Sequence, residues 1–255
     1  MTEKFAVFID IDWTLTSENG VHPKNAEAIK MAQKAGHYIF ANTGRAKSWI
    51  VPGLLGDIEF DGIISGIGAH IEIGGKTIFE KIIDPDFLYS CTNYFWDSKN
   101  CLFISGSQAG FILNPLPYFL EWNFSSIDSP DDFKGRYKNE KIQKVEVFGK
   151  ILQYDKEFLG RELDLYEHGK YVECCPKGCS KAAAMDIVLN HLGIKKENTI
   201  AMGDSVNDID MLKNAGTAVA VGNASDKIKE IADFVSTPSR EGGVAYALQE
   251  LLLKK

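Results

Sequence analysis

Apolar and polar positions alternate between two periods over the first eighty residues. Phe5-Ala-Val-Phe-Ile9 is a short unbroken apolar run that stops at Asp10 and predicts a strand buried on both faces. From Pro23 to Lys34, Ala26, Ile29 and Ala32 recur at helical spacing and Ala35 continues the series. Pro23 suits the first turn of that helix and Gly36 closes the pattern. Residues 37–42 predict a second strand, followed by a helix from about Ala46 that Pro52 ends or kinks before Leu55. FDGIIS predicts a third strand ending near Ser65, and HIEIGGKTIFE, folded about Gly74-Gly75, a hairpin.

The tail keeps the same rhythm. A helix is expected over Lys181 to Leu192, a strand over TIAMG, a helix from near Asn207 and a strand over TAVAVG. A short helix over SDKIKEIA, a strand over DFVS and a closing helix over VAYALQELLL follow. Short buried strands alternating with helices predict an α/β fold, a central parallel sheet covered on both faces. The middle differs, being rich in aromatics and turn residues. IQKVEVFG predicts a strand, YDKEFLGRELDLY a helix and KYVECC a returning strand. The expected organisation is a core of residues 1–83 and 177–255, with 84–176 as an inserted α/β domain.

Charge narrows the partners. A formal charge of −7 without a long Lys/Arg block argues against nucleic acid. MTEK leads directly into the first strand, leaving no room for a signal peptide, and no apolar run reaches membrane-spanning length. Five cysteines, an odd count with Cys174 and Cys175 adjacent, argue against a secreted disulfide framework. A cytoplasmic protein without a membrane partner is the expectation.

In an open parallel sheet, ligands sit beyond the carboxyl ends of the strands, and polar outliers gather there. Asp10 and Asp12 follow the first strand, Asn42-Thr-Gly-Arg45 the second, and GDSVND a later one. Paired carboxylates repel one another, so a divalent cation is the simplest neutraliser, with Asp204 adding an oxygen and Asp208 one helical turn beyond. Oxygen ligands favour Mg²⁺ over zinc. Thr43 and Gly44 can hold an anion at a helix start or merely cap that helix. Lys181 is either a surface lysine or the cation that crowded phosphate oxygens require.

These motifs carry a resemblance. The chain resembles, over essentially its full length, the haloacid dehalogenase superfamily phosphatases of the Cof-type subgroup, which insert a large α/β cap into a Rossmann-like core. The matching stretches are Asp10-Ile-Asp12-Trp-Thr14-Leu-Thr16, Thr43-Gly44-Arg45, Lys181 and Gly203-Asp204-Ser-Val-Asn207-Asp208. The resemblance implies a Mg²⁺-dependent phosphomonoesterase acting on a small phosphorylated metabolite, foremost a sugar phosphate. Asp10 would be the nucleophile and Asp12 the acid and base, while Thr43, Gly44 and Lys181 hold the phosphoryl group. The metal set would be Asp10, Asp12 through its backbone carbonyl, Asp204 and Asp208, the last in support through water. Asn207 would contact Lys181 or phosphate, and Arg45 substrate. The resemblance leaves two alternatives, a phosphomutase and a non-catalytic phosphometabolite-binding protein; a dehalogenase would not need Asp204.

Two positions depart from the family pattern. Trp13 stands where relatives usually have Gly, and Ile67 where Asn is frequent. Cys174, Cys175 and Cys179 lack zinc spacing, and the five histidines are scattered without metal-binding spacing.

Overall fold

The computed structural model describes residues 3–119 and 124–254; Met1 and Thr2 of the MTEK start lie outside them. The first strand, Ala6–Ile9, is buried on both sides, as its unbroken apolar run requires. Ala6 and Phe8 pack with Phe40, Ile64, Met185 and Val188 on one face of the sheet. Val7 and Ile9 pack with Ile29, Ile39, Met202 and Val244 on the other.

The core sheet has eight strands, in the order Phe234–Val235, Thr217–Ala220, Thr199–Gly203, Ala6–Ile9, Tyr38–Asn42, Gly62–Ser65, His70–Ile73 and Lys76–Glu80. The first six run parallel, and His70–Ile73 returns antiparallel to Gly62–Ser65. Gly74 and Gly75, at φ 55° and 75°, make the expected hairpin turn. This is the anticipated Rossmann-like α/β core with a central parallel sheet. Ile9 lies level with Met202 on one neighbour and Ala41 on the other. The chain therefore leaves three adjacent strands at one end, at Asp10, at Asp204 and at Asn42-Thr43. The strand order reverses about Ala6–Ile9, which is where such sheets bind ligands.

The chain divides into two compact units. One contains residues up to Gly44, Ile50–Phe79 and everything from Ser180 onward; the other contains Arg45–Trp49 and Glu80–Cys179. The second has its own six-stranded sheet, ordered Ser125–Ser126, Gly110–Leu113, Cys101–Gly106, Ile142–Phe148, Tyr171–Pro176 and Leu163–Glu167. Helix Pro85–Phe95 is capped by Asp84, whose carboxylate accepts the N–H groups of Asp86 and Phe87. Its Leu88, Cys91 and Phe95 pack against Leu102, Ile104, Val145 and Val147.

Two expected helices are corrected. The helix from Ala46 is only a 3-10 turn, Lys47–Trp49. Its groups bond elsewhere: Lys47 N–H donates to Gln143 Oε1 at 3.0 Å, and the Trp49 ring meets Phe103 and Phe124 at 5.2 and 5.1 Å. The helix expected across residues 154–166 ends at Leu159, and Leu163–Glu167 is a strand paired antiparallel with Tyr171–Pro176. Gly160 separates the two.

All five cysteines are free and buried. Burial pushes the Cys91 thiol up to about 12 and those of Cys101 and Cys179 to about 11. Among the described residues no helix is long and apolar enough to cross a membrane.

Candidate active site

Beyond Ile9 the chain closes into a tight turn, Ile11–Leu15. Asp10 anchors it: its N–H donates to the Met202 carbonyl at 3.0 Å, and its carbonyl accepts Leu15 N–H at 3.1 Å. Thr16 Oγ1 donates to the Ile11 carbonyl at 2.9 Å. The turn buries Asp10, leaves Asp12 half-buried and exposes Trp13, whose φ of 62° is left-handed. That conformation costs a bulky residue about 1–2 kcal/mol. Asn223 Nδ2 holds the Trp13 carbonyl at 2.7 Å.

Two further strand ends meet this turn. Thr14 Oγ1 donates to Asp204 Oδ1 at 3.1 Å. Asp208 folds back over the Asp204 loop, its Oδ2 accepting the N–H groups of Asp204 and Ser205, each at 3.0 Å. Gly203 permits this, because a Cβ there would run into the Asp208 side chain. Lys181 begins helix Lys181–Leu192, where the Ser180 hydroxyl accepts Ala183 N–H at 2.9 Å. Gly68, at φ 88°, lets the turn after Gly62–Ser65 approach this helix start, since a Cβ there would strike the Ser180 carbonyl.

Lys181 Nζ donates to Asp10 Oδ1 and Asp208 Oδ1, each at 2.5 Å, in a fully buried position. The carboxylates of Asp10, Asp204 and Asp208 offer oxygens within 4.8 Å of one another. Burial raises the Asp10 carboxyl well above the carboxylate range, against Lys181 and with the help of Asp208 and Asp204. Burial, then Asp208, pushes Asp204 up to about 6. Burial alone would lower Lys181, but Asp10 and Asp208 hold it above its usual range. Three carboxylates against one ammonium leave, when all are ionised, an excess of two negative charges (3 − 1 = 2). Ionised carboxylates without a counter-charge are expensive to bury.

That excess and the oxygen-only donor set fit a hard divalent cation. Asp208 is less available than the other two, because Lys181 takes one of its oxygens and two N–H groups the other.

Thr43 is fully buried at its strand end, its N–H donating to Ile64 and its carbonyl accepting Ile67 N–H at 3.2 Å. Gly44 ends the first of the three segments that make up the first unit. Asn207 is buried, and its Oδ1 accepts from Ser205 Oγ at 2.8 Å. Arg45 belongs to the second unit, where its Nη1 donates to the Trp49 carbonyl at 3.0 Å. Asn42, named in the sequence among the strand-end polar residues but given no role there, donates its Nδ2 to the Lys181 carbonyl at 3.1 Å and fixes the base of that side chain's helix. Its signal was available, an amide in a buried strand. Asn223 carried none.

Residues 7–248 match the family model of the haloacid dehalogenase-like hydrolases. The chain belongs to that family. Among haloacid dehalogenase-like relatives, it is 29% identical to the 5-amino-6-(5-phospho-D-ribitylamino)uracil phosphatase YcsE of Bacillus subtilis, covering 97% of this chain and 95% of that one. It is similar in structure to the subclass IIB sugar phosphatase BT4131, with TM-score 0.81, 25% identity and coverage of 96% and 98%. A haloacid dehalogenase-like hydrolase from B. subtilis gives TM-score 0.85 at 25% identity, with coverage of 97% and 99%. The chain is therefore a haloacid dehalogenase-type hydrolase, with Cof-like phosphatases among its relatives.

Proposed function

We propose that this hydrolase is a Mg²⁺-dependent phosphomonoesterase for a small phosphorylated metabolite, with sugar phosphates the leading class. The observation that carries this is the Asp10–Asp204–Asp208 group, two members buried and Asp204 half-buried, whose three carboxylates face the single ammonium of Lys181. The sugar phosphatase and the phosphoribityl-uracil phosphatase among its relatives support the substrate class.

In this reading Asp10 and Asp204 hold the cation with the Asp12 backbone carbonyl, and Asp208 supports them. Bound magnesium would balance the carboxylates and withdraw charge from the phosphoryl oxygens. An Asp10 carboxylate oxygen forms a bond to phosphorus as the ester P–O bond breaks. Asp12 gives its proton to the leaving oxygen. It then takes a proton from water, whose oxygen attacks phosphorus; the bond to Asp10 breaks and inorganic phosphate leaves. Lys181, Thr43 and the Gly44 N–H hold the phosphoryl oxygens as charge shifts, and Asn207 orders the loop beside Lys181. Arg45 contacts substrate. Residues 84–176 act as a cap that limits water and selects the leaving group. The five free thiols support a cytoplasmic location.

The test is phosphate release from a panel of sugar phosphates, nucleotides and phosphorylated acids, with Mg²⁺ and with EDTA, beside Asp10→Asn. Mg²⁺-dependent release that is lost in Asp10→Asn supports the reading. Release that persists in EDTA or in Asp10→Asn sinks it.

A further inference from the structure

Trp13 is out of place on two independent grounds. Its φ of 62° lies where glycine is at ease and a bulky side chain is strained. The residue is 55% exposed, so burial returns only part of the apolar gain that would offset the strain. The strained turn is nevertheless pinned. Asn223 Nδ2 donates to the Trp13 carbonyl, and Asn223 Oδ1 accepts Ser239 N–H, both at 2.7 Å. A second exposed apolar side chain, Val206 at 38%, sits between Asp204 and Asp208. Both loops that supply the acidic centre thus carry a large apolar group which the fold leaves uncovered.

We infer that Trp13 is a specificity residue whose indole face packs on a flat ring of the leaving group, with Val206 adding an apolar edge. The inference rests on the phosphomonoesterase reading and narrows it to esters that carry a ring near the phosphate. An indole face gains little from a hydrated open-chain polyol. It gains from the face of an aromatic ring or the C–H face of a cyclic sugar, which exclude water over a matching area. A strained turn that keeps a half-exposed aromatic beside the acidic group points to a use in binding, since the packing it gains is small.

The test compares kcat/KM, with Mg²⁺, for p-nitrophenyl phosphate, glucose 6-phosphate and glycerol 3-phosphate in the full chain, Trp13→Gly and Trp13→Phe. Trp13→Gly is expected to lower the ratio of ring-bearing to open-chain kcat/KM about tenfold, mainly through KM, and Trp13→Phe to restore most of it. A fall confined to the aryl ester assigns an aromatic leaving group; a fall for both rings assigns ring faces generally. Glycine suits the left-handed φ, so an undiminished melting temperature for Trp13→Gly shows that the turn survives. An unchanged ratio overturns the inference and leaves the phosphatase standing. Absence of Mg²⁺-dependent release from all three esters and from the wider panel, in the unmodified chain, removes both.

Discussion

In the second unit, the Lys144 ammonium lies 3.3 Å from Glu146 and also pairs with Glu173, which accepts from His168 Nε2 at 2.8 Å. Burial alone would raise Glu173, yet Lys144 and His168 outweigh it and hold this carboxyl below the usual range. Burial moves Glu146 the other way, toward its neutral form. Counted alike, with every carboxyl ionised, this cluster sets two carboxylates, Glu146 and Glu173, against Lys144, with His168 bonded to Glu173. The group at the strand ends sets three, Asp10, Asp204 and Asp208, against Lys181 alone, their oxygens within 4.8 Å of one another. Burial is common to both clusters, so it does not by itself mark a site. The difference lies in whether the charges close among themselves. An open balance is a request for a cation, whereas a closed one is internal structure.

The sharpest way to break this contrast is Asp10→Asn. Turnover should fall about 10⁴-fold or more, because the proposed nucleophile is gone. Stability without metal should rise, because a carboxyl that burial disfavours in its charged form becomes neutral. Glu173→Gln should do the opposite, lowering the unfolding free energy by about 3 kcal/mol in urea titrations by leaving Lys144 and His168 without their shared partner. A loss of stability in both variants would dissolve the distinction.

Mg²⁺ sharpens it further. At about a hundredfold excess over its dissociation constant, Mg²⁺ should add about 2.7 kcal/mol to unfolding, and Asp204→Asn should abolish most of that gain while Glu173→Gln leaves it intact. The pH dependence follows from the signs. Asp204 is pushed from 3.8 up to about 6, so the folded chain holds more protons than the unfolded one, and metal-free stability should fall as pH rises through that window. Glu173 runs the other way: it adds stability above its unfolded value of 4.5 and loses it as pH falls through its depressed folded value. Melting temperatures between pH 3 and pH 8, with and without Mg²⁺, separate the two slopes. The smallest effect is Trp13→Gly, which should raise the metal-free unfolding free energy by about 1 kcal/mol through relief of its left-handed φ.

Much of the core was legible because its instructions are local. The apolar run before Asp10, the Ala26-Ile29-Ala32 spacing and the Gly74-Gly75 turn each specify an element without outside help. The three-carboxylate group was legible because polar residues at buried strand ends stand out. Where the reading failed, a distant partner decided the outcome. Residues after Ala46 have helical composition, but Gln143 and the rings of Phe103 and Phe124 take them up. Leu163–Glu167 looks helical alone, yet it completes a ladder with Tyr171–Pro176. Ile67 shows the same limit: its φ of 56° is a conformation that β-branched residues avoid, and its N–H to the Thr43 carbonyl belongs to the tertiary structure.

The five buried thiols have a practical outcome. Thiolate is the reactive form, and burial suppresses both ionisation and reagent access at Cys91, Cys101 and Cys179. Folded chain should resist alkylation without any cysteine being replaced. A single cysteine introduced at the exposed Tyr154 would then take up a spectroscopic label selectively, giving a reporter on the second unit against a silent background.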